Sequence, residues 1–472
     1  MNIFKALILV VSLFLLCSGA VFSEALFEAA QNFNVGDNPR ELVAIDFDED
    51  DTLDIVTVNI SSNDLSVMIG NGNGTFGGAV SHALTSGMFP KTVKIADINR
   101  SGSLDVVAGG FAGIDILYGS GIGTFYDQTN LPVGAVDYIA LGDFDNDTWV
   151  DIASTRSTVD SVGIHINNGN NTFTSSYVAV DNGSLAIAAA PVDNNSSIDL
   201  VVSCNNGSIW KLLNDGSGNF TPTVFQYDTL TNQPYIALAD FNGNGTIDLA
   251  ATNNGTDSLT IYNNDGTSNF VAYYNYLVGT SSTAVIAEDL DGDSIVDLVV
   301  ADRFNDEIRF FKGNGNFTFT NDTVYTTGGG GAIDLAAGDF DEDGYIDLAV
   351  TACDSGWVSV FMNRTALILD TDEDTGDNLP RSFGLEQNYP NPFNPSTSIE
   401  FSLPTRSRVS IDIYNLLGQK IYSLVDDEYA AGSHTVEWDG ITFDGTHAGT
   451  GVYFYRLETE EYLETRKMML LK

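Results

Sequence analysis

Positive charge is what this 472-residue chain has least of: 19 lysines and arginines face 64 aspartates and glutamates, a formal net charge of −45. Such a surface repels polyanions, which excludes nucleic acid and an anionic membrane as partners; a saline habitat is a rival explanation for the surplus acid. Cysteine is nearly absent. Beyond Cys17 only Cys204 and Cys353 occur, too few for a disulfide framework, and both read as small buried residues. The four histidines, His82, His165, His434 and His447, are scattered, so there is no zinc-spaced set. No nucleophile elbow or phosphate loop occurs either, and no catalytic residue is assigned. The one long apolar run, Ala6 to Leu16, is too short to span a bilayer comfortably. With Lys5 before it and Ser18-Gly19-Ala20 and Ser23 after it, residues 1–23 read as an export signal. Cys17 as a lipid anchor is disfavoured by the bulky Leu16 before it. No transmembrane segment is expected in the mature chain.

What is abundant is a nine-residue pattern, Asp-apolar-Asp/Asn-x-Asp/Asn/Ser-x-x-apolar-Asp, which recurs seven times at spacings of 46 to 51 residues. It opens at Asp46, Asp97, Asp143, Asp240, Asp289 and Asp339, with a degraded copy at Pro191. Positions 1, 3, 5 and 9 supply side-chain oxygens and position 7 can supply its backbone carbonyl, a hard-donor set that suits Ca²⁺. The candidate ligands are Asp46, Asp48, Asp50, Thr52 and Asp54; Asp97, Asn99, Ser101, Ser103 and Asp105; and Asp143, Asp145, Asp147, Trp149 and Asp151. Later copies supply Asp240, Asn242, Asn244, Thr246 and Asp248; Asp289, Asp291, Asp293, Ile295 and Asp297; and Asp339, Asp341, Asp343, Tyr345 and Asp347. Four carboxylates on one loop repel pairwise by about 1 to 4 kcal/mol at about 4 Å, depending on dielectric, and a divalent ion removes that conflict. The copies at Asp46, Asp143, Asp289 and Asp339 carry four such carboxylates and should bind best. Arg100 intrudes on the Asp97 copy, and the Pro191 copy keeps only Asp193, Asn195 and Asp199. A metal-free, Asx-rich turn is the plain alternative. An EF-hand is excluded, because position 6 is not fixed as glycine and a strand, such as Ile55 to Val58, follows the loop.

A second landmark repeats in phase, a Gly/Asn-rich turn ending on Phe76, Phe125, Phe173, Phe220, Phe270 and Phe319. These turns suit tight hairpins, and each Phe is expected to wedge between neighbouring sheets. Each repeat then reads as four strands, with the acidic loop between the first two and the Gly/Asn turn between the last two. The seventh repeat lacks its Phe turn, but Phe27 lies in register 49 residues before Phe76. The segment from Leu26 to Val35 is therefore expected to supply the missing outer strand and close a ring without edges. The fold class predicted is all-β, a seven-bladed β-propeller over 24–364. Its ion loops and Gly/Asn turns share one face. The opposite face carries Asp37 to Arg40, Phe89-Pro90-Lys91, Thr155-Arg156, Arg303-Phe304 and Asp354 to Trp357.

The Asp-Phe-Asp core and Gly-Asn-Gly-x-Phe turn resemble the FG-GAP/VCBS family, the calcium-loop propellers also seen in integrin α-subunit heads. The resemblance spans about Leu26 to Asn363 and implies the fold and structural calcium; it leaves the activity open.

After an acidic linker at 365–383, which offers at most a stray ion site, residues 384–472 change character. Strands are expected at Ser398 to Phe401, Val409 to Tyr414, Thr435 to Trp438 and Val452 to Tyr455, in a small Ig-like β-sandwich. Asn388 to Thr397, Tyr414 to Gln419, Trp438-Asp439-Gly440, Gly451-Val452-Tyr453 and the closing Lys467 to Lys472 resemble the type A C-terminal sorting domain of type IX secretion. That implies passage through both membranes, recognition by the type IX machinery and a secreted or surface location.

The function expected is a non-enzymatic, calcium-stabilised binding protein, monomeric, with an extracellular glycan or protein ligand on the free face. The alternative is an extracellular polysaccharide-degrading lyase or hydrolase using Lys91, Arg156 or Arg303 with calcium; a structural surface-layer role is third. A pocket of converging Lys, Arg, His or Tyr would favour the enzyme, and a free face bearing aromatics would favour binding.

Overall fold

A computed structural model describes residues 26–364 and 384–470, apart from short interruptions at 182, 194, 228–234, 254–255, 280, 386–387, 389, 392, 394, 404–405, 417, 430–431, 444–445 and 460–461. The expected export signal and acidic linker lie outside the described residues. The chain separates into two compact units between residues 366 and 367. No described helix is long and apolar enough to cross a membrane.

The first unit is built of seven four-stranded antiparallel sheets. Blade 1 is typical: Pro39–Ile45, Asp54–Asn59, Asp64–Met68 and Val80–Ala83 in consecutive order. Blades 2 to 6 repeat this plan, with first strands Thr92–Ala96, Ile139–Gly142, Ser184–Ala190, Ile236–Ala239 and Ser282–Glu288. Blade 7 takes Ala332–Gly338, Asp347–Ala352 and Trp357–Phe361 from the end of the unit and Gln31–Asn34 from its beginning, with Phe33 opposite Val358. Each first strand packs against the first strand of the next blade, and that of blade 7 packs against that of blade 1. The ring is closed, as the register of Phe27 predicts, and strand pairing between distant chain segments holds it shut.

Burial follows from the strand composition. Second strands such as Asp54–Asn59 and Asp347–Ala352 are buried at every residue, and Asp151–Arg156 and Asp248–Asn253 at every residue but the last, as runs covered on both faces should be. Fourth strands such as Phe125–Leu131 face solvent. The core lies between blades. Phe47, Val56 and Val67 of blade 1 meet Val93, Val106 and Leu117 of blade 2, and every other gap holds an equivalent cluster. Cys204 and Cys353 are buried and unpaired.

The second unit is a sandwich. Gly384–Leu385, Thr397–Leu403 and Gly432–Trp438 form one sheet; Lys420–Tyr429, Ser407–Asn415, Gly451–Glu458 and Leu463–Leu470 form the other. Trp438, Phe401, Ile411, Tyr455 and Met468 fill one core. Three of these strands were not expected from alternation: Gly384–Leu385 is too short to show it, and charged residues interrupt Lys420–Tyr429 and Leu463–Leu470.

Candidate functional site

Each acidic loop is wound by its own side chains. The first carboxylate receives two backbone N–H groups: Asp46 accepts from Asp50 at 3.1 Å and Asp51 at 3.0 Å, Asp143 from Asp147 at 3.0 Å and Thr148 at 2.8 Å, and Asp339 from Asp343 at 3.1 Å and Gly344 at 2.9 Å. The fifth residue accepts from the seventh, as Asp147 does from Trp149 at 2.8 Å and Asp343 from Tyr345 at 2.9 Å. This winding drives position 6 into the left-handed region, at φ 70° for Asp51, 75° for Thr148 and 66° for Ser294. Glycine takes that conformation freely, while a β-branched threonine is strained in it. The free choice of residue at position 6 concealed the constraint from sequence reading.

Position 9 has a second task. All seven aspartates there are fully buried at 0% exposure: Asp54, Asp105, Asp151, Asp199, Asp248, Asp297 and Asp347. One oxygen accepts the N–H of position 2 and the other an N–H at the end of the third strand. Asp151 accepts from Phe144 at 2.8 Å and Asn167 at 2.7 Å; Asp199, in the degraded copy, accepts from Val192 at 3.0 Å and Asn214 at 2.8 Å. Burial pushes the Asp105, Asp151, Asp248 and Asp297 carboxyls up to about 6 and that of Asp347 to about 7. The clamp persists where the first aspartate has become proline, so it belongs to the blade as well as to any ion.

Among the described residues, three carboxylate oxygens come within 4.8 Å of one another in four loops: Asp46, Asp48 and Asp50; Asp143, Asp145 and Asp151; Asp289, Asp291 and Asp297; Asp339, Asp341 and Asp347. These are the four loops richest in acid. Their electrostatics fit a cation. Burial, then the charges of their loop neighbours, raises the position 3 carboxyls of Asp48, Asp145 and Asp341. Asp48 Oδ1 is buried and has no hydrogen-bond partner, an acceptor that an ion would satisfy. Such oxygen-only clusters suit calcium.

The other loops differ. Arg100 does not turn onto the Asp97 carboxylate; its guanidinium lies 4.2 Å from the Trp149 ring centroid, in the next blade, and donates to Thr148. The Asn99 amide donates to the Tyr126 hydroxyl at 2.9 Å. In the Asp240 copy, Asn244 caps Thr246. Lys312 was not foreseen. Its ammonium bridges Asp291 and lies 2.9 Å from Asp293, so the sixth loop already holds a cation of the chain's own. Sequence spacing gave no warning, because Lys312 lies on the third strand, 21 residues away from Asp291.

Neighbouring loops are tied together. Phe76 packs edge-on against Phe340 of the preceding blade at 5.5 Å, Phe220 against Phe144 at 5.5 Å and Phe319 against Phe241 at 5.7 Å, the wedge the phased Phe implies. A set of asparagines adds polar ties that sequence reading missed. Asn167, Asn214, Asn264 and Asn363 each donate from Nδ2 to the position 2 carbonyl of the preceding blade, at 2.6 to 2.9 Å. The signal was present: these asparagines fall in phase, where the other three blades carry Gly70, Gly119 and Gly313.

On the opposite face a cavity of about 220 Å³ opens at the ring axis, among Arg40, Glu41, Lys91, Tyr138, Tyr235 and Asp334. Lys91 pairs with Asp137 at 2.5 Å and Lys94 with Glu41 at 2.5 Å. The Tyr138 hydroxyl donates to that of Tyr235 at 3.2 Å. Burial, then the Glu41 charge, pushes the Asp334 carboxyl up to about 7. Arg156 and Arg303 do not line this cavity: Arg156 lies over the Tyr177 ring and Arg303 pairs with Asp354 at 3.6 Å. The same face exposes Phe89, Phe111 and Phe304.

Comparison with known proteins agrees with this geometry. The FG-GAP-like repeat family matches residues 46–108, 192–251, 240–300 and 289–350, and the secretion system C-terminal sorting domain matches 387–471. No curated protein matches the chain. Among solved structures, BBS1N in complex with ARL6DN superposes with a TM-score of 0.53 at 13% identity, covering 72% of this chain and 97% of that one, which shows the fold. PorZ, an essential bacterial surface component of the type-IX secretion system of Porphyromonas gingivalis, is similar at 16% identity and a TM-score of 0.46, over 93% of this chain and 60% of its own. An Agrocybe aegerita lectin specific for non-reducing terminal N-acetylglucosamine is similar at 17% identity and a TM-score of 0.47, over 70% of this chain and 97% of its own. The chain is an FG-GAP-like repeat propeller joined to a secretion system C-terminal sorting domain, a cargo of type IX secretion sent to the cell surface or the extracellular space.

Proposed function

We propose that the propeller is a calcium-stabilised, monomeric binding protein that captures an extracellular glycan or protein on the face opposite its ion loops. The ligands assigned to calcium are the side-chain oxygens at positions 1, 3, 5 and 9 and the carbonyl at position 7 of each intact loop. Their role is structural: they fix hairpins and leave the other face free. The observation that carries the reading is that free face itself, where Phe89, Phe111 and Phe304 are exposed by 51%, 69% and 74%. Phe89 and Phe111 lie on adjoining loops, and a contiguous apolar patch left in water is the kind of surface that takes part in recognition.

The convergence of Arg40, Lys91, Tyr138 and Tyr235 on one cavity favours a second reading, a polysaccharide lyase or hydrolase. Against it, Lys91 is already neutralised by Asp137, and the other two cations expected to serve such chemistry lie outside the cavity. The test is an array of extracellular glycans and surface proteins probed with the full chain in calcium and in EDTA, with product analysis of every glycan bound. Retained ligand without turnover supports capture. Release of shortened or unsaturated sugars would establish the enzyme instead.

A further inference from the structure

The loop that leads into Thr92–Ala96 carries both an exposed aromatic, Phe89, and a residue of the axial cavity, Lys91. Phe89 and Phe111 are neighbours, since the Phe111 N–H donates to the Met88 carbonyl and Gly110 lies against Phe89 and Pro90. Phe89 is held at φ 44° by the Asn63 side chain, which accepts its N–H at 2.9 Å. A bulky residue in that region is strained, and retained strain gathers at functional surfaces. Here it turns an aromatic ring outward where burial would have been the stable choice. Two residues on, Lys91 lines the cavity.

The cavity's chemistry narrows its occupant. Two ion pairs are internal, Lys91 with Asp137 and Lys94 with Glu41, and the remaining Arg40 and Asp334 are of opposite sign, so the cavity offers a ligand no net charge. What remains is a set of hydroxyls, carboxylate oxygens and N–H groups, including an Arg40 Nε that is buried without a hydrogen-bond partner. At about 220 Å³ it lies below the roughly 300–1,000 Å³ of drug-sized sites. It suits a single ring bearing several hydroxyl groups.

We infer that this site binds a neutral saccharide, one sugar ring seated among Tyr138, Tyr235 and Lys91 and the next stacked on Phe89 and Phe111. This rests on the capture reading above and names its ligand class. Aromatic faces pack the apolar side of a sugar ring while paired polar groups in a cavity exchange hydrogen bonds with its hydroxyls.

The experiment titrates the full chain, in calcium, with cello-, xylo-, manno- and chito-hexaoses, with a galacturonate hexamer as the charged control. Phe111→Ala and Tyr235→Phe are compared with the parent, and each variant's melting temperature is recorded. The expected result is binding of at least one neutral hexaose that each substitution weakens tenfold or more, with melting unchanged. Neutral-sugar binding that both variants retain overturns this site but leaves capture standing. Preference for the galacturonate hexamer overturns the neutral class. A ligand found only among surface proteins overturns the inference alone; failure of both the glycan and protein panels overturns the capture reading with it.

Discussion

The buried position 9 aspartate separates two roles that one residue combines, and Asp151→Asn measures the split. Asp151 is inaccessible to solvent and accepts from Phe144 N at 2.8 Å and Asn167 N at 2.7 Å. An amide in its place keeps one acceptor and turns the other atom into a donor, aimed at a buried N–H. One hydrogen bond becomes a donor–donor contact and one buried N–H is orphaned, at about 1–3 kcal/mol for the orphan and more for the repulsion. A loss of about 2–4 kcal/mol follows, on the order of 3–6 °C in melting temperature for a unit of this size. It must appear in EDTA as well as in calcium, because neither hydrogen bond needs an ion. Asp143→Asn makes the same exchange against the Asp147 and Thr148 N–H groups, but in exposed contacts where water can satisfy the orphan, so its effect in EDTA should be small beside its effect in calcium. Asp199→Asn, in the copy where proline replaces the first aspartate, should destabilise equally in both media. Scanning calorimetry of the three variants in each medium decides the matter. An Asp151→Asn protein that melts with the parent in EDTA would refute the clamp.

Four other outcomes are expected. Thr148→Gly relieves a β-branched residue at φ 75° but removes the hydroxyl that accepts from Arg100; it raises the denaturation midpoint, with a net gain of up to about 1 kcal/mol after that exposed contact and the added unfolded-state entropy are counted. Lys312→Ala removes the internal cation from Asp291 and Asp293, so one step of a calcium titration tightens by about two- to tenfold, the pair being partly screened by solvent. His165 lies between Ser154 Oγ at 2.9 Å and Ser175 Oγ at 2.8 Å; burial, then the nearby Arg156 charge, holds its ring down at about 4. Its unfolded value is near 6.5, so its contribution is complete above that pH, falls as pH drops from about 6.5 to 4, and amounts to about 3 kcal/mol at most; subtracting the pH–melting curve of His165→Gln from that of the parent isolates it. Removal of residues 388–472 should leave the protein in the periplasm, as cell fractionation would reveal, because the sorting domain is what the secretion machinery reads.

Much of the architecture could be read directly because the repeats are in phase. The nine-residue spacing placed every loop, and the interval from Phe27 to Phe76 named the segment that closes the ring. Both rest on local chemistry, an apolar pair flanked by oxygen donors, that each copy states for itself. What escaped notice depends on contacts between copies. Asn214 and its equivalents look like ordinary turn asparagines until the preceding blade's carbonyl is in place. Lys312 and Asp291 become neighbours only after the third strand folds beside the loop. The axial cavity is assembled from several blades, and no single repeat contains its pattern. Of the three sandwich strands that went unforeseen, Gly384–Leu385 is only two residues long, and charged residues in the sequences of the other two blur alternation.

The claim on which the rest depends is that cations held by these loops stabilise the ring. At about 100 times the dissociation constant each site would contribute about 2.7 kcal/mol, and extracellular calcium modules commonly bind at about 10⁻⁴ to 10⁻³ M. The direct measurement is the melting temperature of the full chain in about 10 mM calcium against excess EDTA. Chelation should lower it by many degrees, regained when calcium is restored; identical melting curves in the two solutions would mean that no cation holds the ring.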